Sequence, residues 1–126
     1  MNPATILLVD DDDGVRRILR KVLEAQRYRV VDYGLPQGAC ATFDADPAAV
    51  DLVVTDLKMP GMSGQDLAAR VWASRPEIRV LFISGYTDHT YVETLNGPRS
   101  RFLEKPFASE LLLRVVAELL EGRSLA

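Results

Sequence analysis

The chain has 126 residues, 48% of them hydrophobic and 26% charged, which is the size and composition of one globular domain. Its formal net charge of −3 and the lack of a basic block argue against direct binding of nucleic acid. The single cysteine excludes an internal disulfide, the first residues lack the pattern expected of a signal peptide, and no apolar run of the sequence reaches membrane-spanning length. We therefore expect a cytoplasmic domain over residues 1–126 that makes no membrane contact.

The first half of the chain alternates apolar runs with helical patterns. The run at 6–9 predicts a first strand, and "GVRRILRKVLEAQ" predicts a helix that Asp12 or Asp13 caps. "RYRVVDY" predicts a second strand, a weaker helix begins at Pro36, and "DLVVTD" predicts a clear third strand. In the first helix, apolar residues recur at helical spacing opposite Arg and Lys: Val15, Ile18, Leu19, Val22 and Leu23.

The second half repeats this alternation. After the turn "KMPGMSG", Ser63 opens a helix that ends before Pro76, and "RVLFIS" predicts a fourth strand. A short helix over 87–97, a fifth strand "RFLE" and an amphipathic helix over 108–122 follow. Strict alternation predicts a doubly wound α/β domain, with helices on both faces of a five-stranded parallel sheet. The flavodoxin-like strand order 2-1-3-4-5 is the common solution at this size.

Acidic residues follow two strands that this order makes neighbours. Strand one ends at Asp10 and Asp11, and strand three ends at Asp56. Sites in open α/β sheets form at the carboxyl ends of strands, at the switch point, which here lies between these two strands. Clustered carboxylates suit Mg²⁺, and the backbone carbonyl of Lys58 is a further candidate ligand.

Strands four and five contribute complementary groups. Strand four ends at the hydroxyl of Ser84, and strand five leads to Lys105. A lysine beside a metal and a carboxylate is a clamp for phosphoryl oxygens. These groups together favour phosphoryl transfer to an aspartate.

The chain resembles the receiver domain of two-component response regulators. The resemblance runs from "ILLVDDD" through "DLVVTDLKMPGMSG" and "VLFISGY" to "FLEKPF". A narrower resemblance, carried by "SGYTD" and "RFLEKPF", is to receivers at the C-terminus of hybrid sensor histidine kinases. The resemblance to receiver domains implies a signalling domain that catalyses only its own phosphorylation and dephosphorylation, and not an enzyme for other substrates. The implied partner is a histidine kinase or histidine phosphotransfer protein that carries a phosphohistidine, and a weak homodimer is a further expectation.

The resemblance also assigns roles by position. It implies that Asp56 is the phosphoacceptor, that Asp11 binds Mg²⁺ directly, and that Asp10 acts through water. It implies that Lys105 binds the phosphoryl group. The switch residues are Ser84 and Phe102, although Phe102 is equally explained as plain core. A cis peptide bond is implied before Pro106.

Two departures from the family pattern lead to separate predictions. The turn after the first helix carries Arg27 where the family usually has glycine, so we expect Arg27 to adopt a positive φ. Tyr86 stands two residues past Ser84, and we expect its bulk to slow hydrolysis of an aspartyl phosphate.

Two alternatives stay open. In a Mg²⁺-dependent phosphatase of the haloacid dehalogenase type, Asp11, Asp13 and Val15 would form the "DxDxV" motif and Asp11 would be the nucleophile. That reading leaves Asp56 and its Pro-Gly turn unexplained, and no later acidic pair follows Lys105. The other alternative is a binding module that acts without phosphorylation.

Overall fold

The structure is a computed structural model and describes residues 3–85 and 95–125. Within these residues, five parallel strands form one sheet in the order β2-β1-β3-β4-β5, which confirms the predicted fold class and strand order. The strands are β1 (Thr5–Val9), β2 (Arg29–Tyr33), β3 (Leu52–Asp56), β4 (Arg79–Ser84) and β5 (Ser100–Glu104). The helices are α1 (Asp13–Ala25), α2 (Pro36–Ala45), α3 (Gly64–Ser74) and α4 (Ser109–Leu125), with a 3-10 turn at Pro47–Ala49. Most of the helix predicted at 87–97 lies outside the described residues.

Alternate side chains of each central strand divide the core into two layers. In β1, Leu7 and Val9 pack toward α2 and α3, whereas Ile6 and Leu8 pack toward α1 and α4. All four are fully buried, and burial of each such side chain contributes roughly 1.5–3 kcal/mol to folding. Because both faces are covered, these strands read as continuous apolar runs. Among the described residues, no helix has the length and apolar character needed to cross a membrane.

Helix α1 follows the predicted pattern except at one position. Asp12 caps it, with Oδ1 accepting a hydrogen bond from the Val15 amide at 3.0 Å. Leu19 and Leu23 are its buried residues. The prediction that Ile18 lies on the apolar face is wrong, because this side chain is 62% exposed. It precedes Leu19 and therefore points about 100° away from it around the helix axis.

Two backbone predictions are confirmed. Arg27 has a φ of 68°, the left-handed conformation expected where the family carries glycine. The peptide bond between Lys105 and Pro106 is cis. Both features occur at the ends of regular elements, where the chain changes direction.

Candidate functional site

The predicted site residues meet at the carboxyl edge of the sheet. Asp10 and Asp11 follow β1, Asp56 ends β3, Ser84 ends β4 and Lys105 follows β5. Parallel pairing brings these strand ends to one side, because β1 pairs with β3 and β3 with β4. The structure thus brings together residues that are far apart in the sequence.

Three carboxylates form a compact acidic cluster. One carboxylate oxygen each from Asp10, Asp11 and Asp56 lies within 4.8 Å of the other two. Asp10 is fully buried and Asp56 is 8% exposed, whereas Asp11 lies exposed at the rim. Clustered carboxylates repel one another unless a cation lies among them. The cluster therefore requires positive charge.

Lys105 supplies part of that charge. Its Nζ donates to Asp10 Oδ2 at 2.9 Å and to Asp56 Oδ2 at 3.3 Å. Burial raises the pKa of Asp56 above its usual range, and the Lys105 ammonium opposes that rise. Burial acts to lower the pKa of Lys105, but its bonds to Asp10 and Asp56 outweigh that effect, so the pKa of Lys105 is raised. Lys105 is therefore protonated at neutral pH.

The backbone and side chain of Asp10 are held from several directions. Its Oδ1 accepts a hydrogen bond from the Asp12 amide at 2.9 Å. Its own amide donates to the Tyr33 carbonyl at 3.2 Å, and its carbonyl accepts from Arg16 Nη1 at 2.8 Å. The contact of Arg16 with Asp10 is not evident from the sequence, because an arginine in the first turn of an amphipathic helix looks like an ordinary surface charge.

The turn after β3 is shaped to bring α3 close to Asp56. A Cβ on Gly64 would lie 2.3 Å from the Asp56 carbonyl oxygen, so this first residue of α3 must lack a side chain. Ser63 caps α3 in a capping box with Asp66. The amide of Lys58 lies 3.4 Å from Asp56 Oδ1 and helps to hold that carboxylate. A metal-binding role for the Lys58 carbonyl stays a prediction.

The two predicted switch residues lie on β4 and β5. Ser84 is buried beside the crevice, and its carbonyl accepts a hydrogen bond from the Lys105 amide at 2.8 Å. Phe102 is partly buried and packs against the core layer that faces α2 and α3. The switch roles of Ser84 and Phe102 stay predictions. Tyr86 lies outside the described residues.

The comparisons with known proteins identify the family. The sequence model of the response regulator receiver domain family matches residues 6–117, and the chain belongs to that family. Receivers are signalling domains of two-component systems. Membership of this family favours neither the hypothesis of a phosphatase nor that of a binding module that acts without phosphorylation.

Individual relatives agree with the family match. The chain is 34% identical over 119 residues to the sensor kinase CckA of Brucella abortus, covering 94% of this chain and 13% of that protein. It is 32% identical over 116 residues to the response regulator receiver protein CpdR of the same species, covering 91% of this chain and 95% of CpdR. For a third relative, the regulator DctD of Rhizobium meliloti, the chain spans 26% of the protein.

Solved structures match along nearly the whole chain. A response regulator receiver protein from Sinorhizobium medicae has a TM-score of 0.87 at 29% identity, covering 96% of this chain and 97% of that one. The receiver domain of the hybrid histidine kinase CckA has a TM-score of 0.79 at 28% identity, covering 93% of this chain and 99% of that one. The predicted resemblance to receivers, including those of hybrid kinases, is confirmed.

Proposed function

We propose that Asp56 accepts a phosphoryl group from a phosphohistidine on a histidine kinase or histidine phosphotransfer protein. The observation that carries this proposal is the bridge that Lys105 makes between Asp10 and Asp56 at the carboxyl edge of the sheet. It places a carboxylate, an ammonium group and further acidic residues in one crevice. Phosphoryl transfer depends on such positioning and on neutralisation of charge.

The donor set of the acidic cluster fits Mg²⁺. Carboxylate oxygens are hard ligands, and Mg²⁺ is commonly held by one or two carboxylates with waters in the remaining positions. Asp10, Asp11 and Asp56 would hold the ion with the carbonyl of Lys58, and the exposed rim at Asp11 leaves room for water. When bound, Mg²⁺ neutralises negative charge on the phosphoryl oxygens.

The chain's own residues perform the transfer. A carboxylate oxygen of Asp56 attacks phosphorus, and the new P–O bond forms as the P–N bond to the donor imidazole breaks. Asp56 is largely buried, so its carboxylate is less hydrated than an exposed one, which favours its attack on phosphorus. Lys105 remains charged and stabilises the phosphoryl oxygens. The reaction modifies the domain itself, so it is a signalling event rather than turnover of another substrate.

Conformational signalling belongs to the same proposal. The hydroxyl of Ser84 moves toward the phosphoryl group, and the ring of Phe102 reorients on β5. Phosphorylation thereby shifts an existing equilibrium between two states. The altered surface includes β5 and α4.

A shallow apolar groove beside the crevice supports docking of the phosphohistidine partner. It has a volume of about 240 Å³ and lies between α1 and the turn after β5; its lining is Val15, Ile18, Leu19, Lys105, Pro106 and Phe107. Lys105 lines the groove and also contacts Asp56, so a partner seated in the groove would lie next to the crevice. Exposed Ile18 supplies apolar contact area.

We also propose a cellular location for the domain. A cytoplasmic location without direct nucleic-acid contact is supported by the net charge of −3 and the single cysteine. The chain matches 95% of CpdR but 13% of CckA, so relatives of both lengths carry such a domain.

Incubation with phosphoramidate, whose P–N bond imitates that of phosphohistidine, tests the proposed transfer. Intact mass spectrometry should show one added phosphoryl group on the wild type in Mg²⁺, none in EDTA and none on Asp56→Asn. A folded wild type that never gains mass would support the phosphorylation-independent reading. An adduct that persists on Asp56→Asn would instead make Asp11 the first candidate.

A further inference from the structure

Arg16 lies in the first turn of α1 and makes three polar contacts, one of them with the Asp10 carbonyl. Nη1 donates to the Asp10 carbonyl at 2.8 Å, and Nε donates to Asp32 Oδ2 at 3.0 Å. Nη2 lies 2.8 Å from Asp13 Oδ1. One guanidinium group therefore connects the start of α1 with the carboxyl ends of β1 and β2.

The geometry around Arg16 leaves its guanidinium little freedom. The side chains of Arg16 and Asp32 are only 19% and 17% exposed, so solvent and salt screen this ion pair weakly. The planar group uses different nitrogens for Asp10 and Asp32, which fixes its orientation as well as its position. A Cβ on Gly34 would lie 2.8 Å from Nη1, so the bare glycine makes room for it.

The contact with the Asp10 carbonyl bears on the metal-binding residues. The Asp10 amide donates to Tyr33, so both backbone polar groups of Asp10 are held. The peptide that joins Asp10 to Asp11 is planar, so fixing its carbonyl fixes the direction in which the chain leaves for Asp11. Asp11 is exposed, so packing does not fix its side chain, and the orientation of the preceding peptide limits where its carboxylate can lie.

We propose that Arg16 is a positioning residue for the metal site. By holding the Asp10 carbonyl, it orients the peptide that presents the Asp11 carboxylate to Mg²⁺. This inference rests on the proposed function, because it requires that the acidic cluster binds Mg²⁺. Groups that hold metal ligands in place typically change metal affinity by about 10- to 100-fold when they are removed.

A purely electrostatic effect and a positioning role predict opposite changes in Mg²⁺ affinity for Arg16→Ala. Loss of a cation near a Mg²⁺ site should tighten metal binding if only charge mattered. Positioning predicts that Mg²⁺ binds about tenfold more weakly, measured by titration calorimetry with Mg²⁺ alone. Arg17→Ala, at an exposed neighbouring position, removes the same charge and should bind Mg²⁺ within about twofold of the wild type.

Two further variants separate positioning from general stability. Arg20 pairs with Asp32, whereas Arg16 holds the Asp10 carbonyl, so Arg20→Ala removes the Arg20–Asp32 ion pair and leaves the hydrogen bond from Arg16 to Asp10 in place. Its Mg²⁺ affinity should match the wild type even where urea unfolding shows lost stability. Gly34→Ala keeps every charge and displaces the guanidinium, and Gly34 does not have the positive φ that excludes alanine. It should weaken Mg²⁺ binding as Arg16→Ala does.

Titration of the wild type with Mg²⁺ distinguishes failure of the proposed metal site from failure of the positioning role alone. If the wild type binds no Mg²⁺, the metal part of the proposed function is wrong and the role of Arg16 falls with it. If the wild type binds Mg²⁺ while Arg16→Ala and Gly34→Ala bind equally well or more tightly, the positioning role alone is overturned. Gly34→Ala decides the question if Arg16→Ala does not fold.

Discussion

Lys105 Nζ lies 2.9 Å from Asp10 Oδ2 and 3.3 Å from Asp56 Oδ2, so the ammonium group of a residue that follows β5 bridges one residue after β1 and one at the end of β3. The side chain of Asp10 has no solvent exposure, and that of Asp56 has 11%. Beside its proposed part in phosphoryl transfer, the bridge therefore stabilises two carboxylates that folding removes from water.

Removal of that ammonium group should affect both stability and reaction. In EDTA, Lys105→Met leaves buried Asp10 without its cation, and we expect the free energy of unfolding to fall by about 3 kcal/mol. Urea unfolding at neutral pH measures this, and phosphoramidate should no longer modify the variant at an appreciable rate. Lys105→Arg keeps the charge and should retain most of the stability. A Lys105→Met variant as stable as the wild type would show that the bridge is energetically unimportant.

The raised pKa of Asp56 predicts how stability depends on pH. Burial is its main cause, so between the ordinary aspartate pKa and the raised value the native state holds more protons than the unfolded state. Stability therefore falls as pH rises through that window, and the cost persists above it. Asp56→Asn removes the cost and should unfold at higher temperature at neutral pH.

Thermal unfolding of wild type and Asp56→Asn from pH 3 to pH 8 in EDTA measures this difference. The advantage of the variant should shrink as pH falls through the same window, within the roughly 0.5–3 kcal/mol that single substitutions usually cover. An Asp56→Asn variant that is less stable at neutral pH would mean that Lys105 outweighs burial at this site.

Arg27 ends α1 in a conformation that glycine adopts without strain. Its amide donates to Glu24 and the Tyr28 amide donates to Leu23, a Schellman arrangement whose left-handed residue is Arg27, with a φ of 68°. Arg27→Gly should stabilise the domain by roughly 0.5–1 kcal/mol, since relief of strain exceeds the entropy lost by glycine.

Chemical denaturation of Arg27→Gly beside Arg27→Ala measures this gain. Arg27→Ala also loses the charge but keeps the Cβ, so it should gain nothing. Equal effects from both substitutions would assign the change to the charge rather than to the backbone.

The groove beside Lys105 predicts a difference between protein and small-molecule phosphodonors. Ile18 is 62% exposed and does not belong to the acidic cluster. Ile18→Asp should react with phosphoramidate at the wild-type rate, but about tenfold more slowly with any histidine kinase that phosphorylates the wild type, in line with loss of an apolar anchor. Arg17→Ala serves as the surface control. An equal loss with both donors would place the effect in the site instead of the groove.

The sequence predicted the fold because local and global signals agreed. Buried parallel strands appear as apolar runs, and helices appear as segments whose apolar residues recur at helical spacing. The alternation of the two patterns identifies a doubly wound sheet. Asp10, Asp11, Asp56 and Lys105 were found because each follows or ends a strand, and parallel pairing alone brings strand ends together.

Other features depend on side-chain geometry that periodicity does not encode. Ile18 lies at the edge of the α1 pattern, and only the path of α1 across the sheet decides that it faces solvent. Arg16 looks like a helix-surface charge until its contacts with Asp10 and Asp32 are known. Gly64 appears as part of a turn, whereas its close approach to the Asp56 carbonyl is a packing constraint.

Chemical location of the phosphoryl group tests the central claim most directly. The wild type is incubated with phosphoramidate and Mg²⁺, treated with borohydride to reduce the acyl phosphate to an alcohol, and mapped by peptide fragmentation. We expect reduction at Asp56 alone, and none when EDTA replaces Mg²⁺. Reduction at Asp11 or at any other carboxylate would contradict the assignment of Asp56 as the phosphoacceptor.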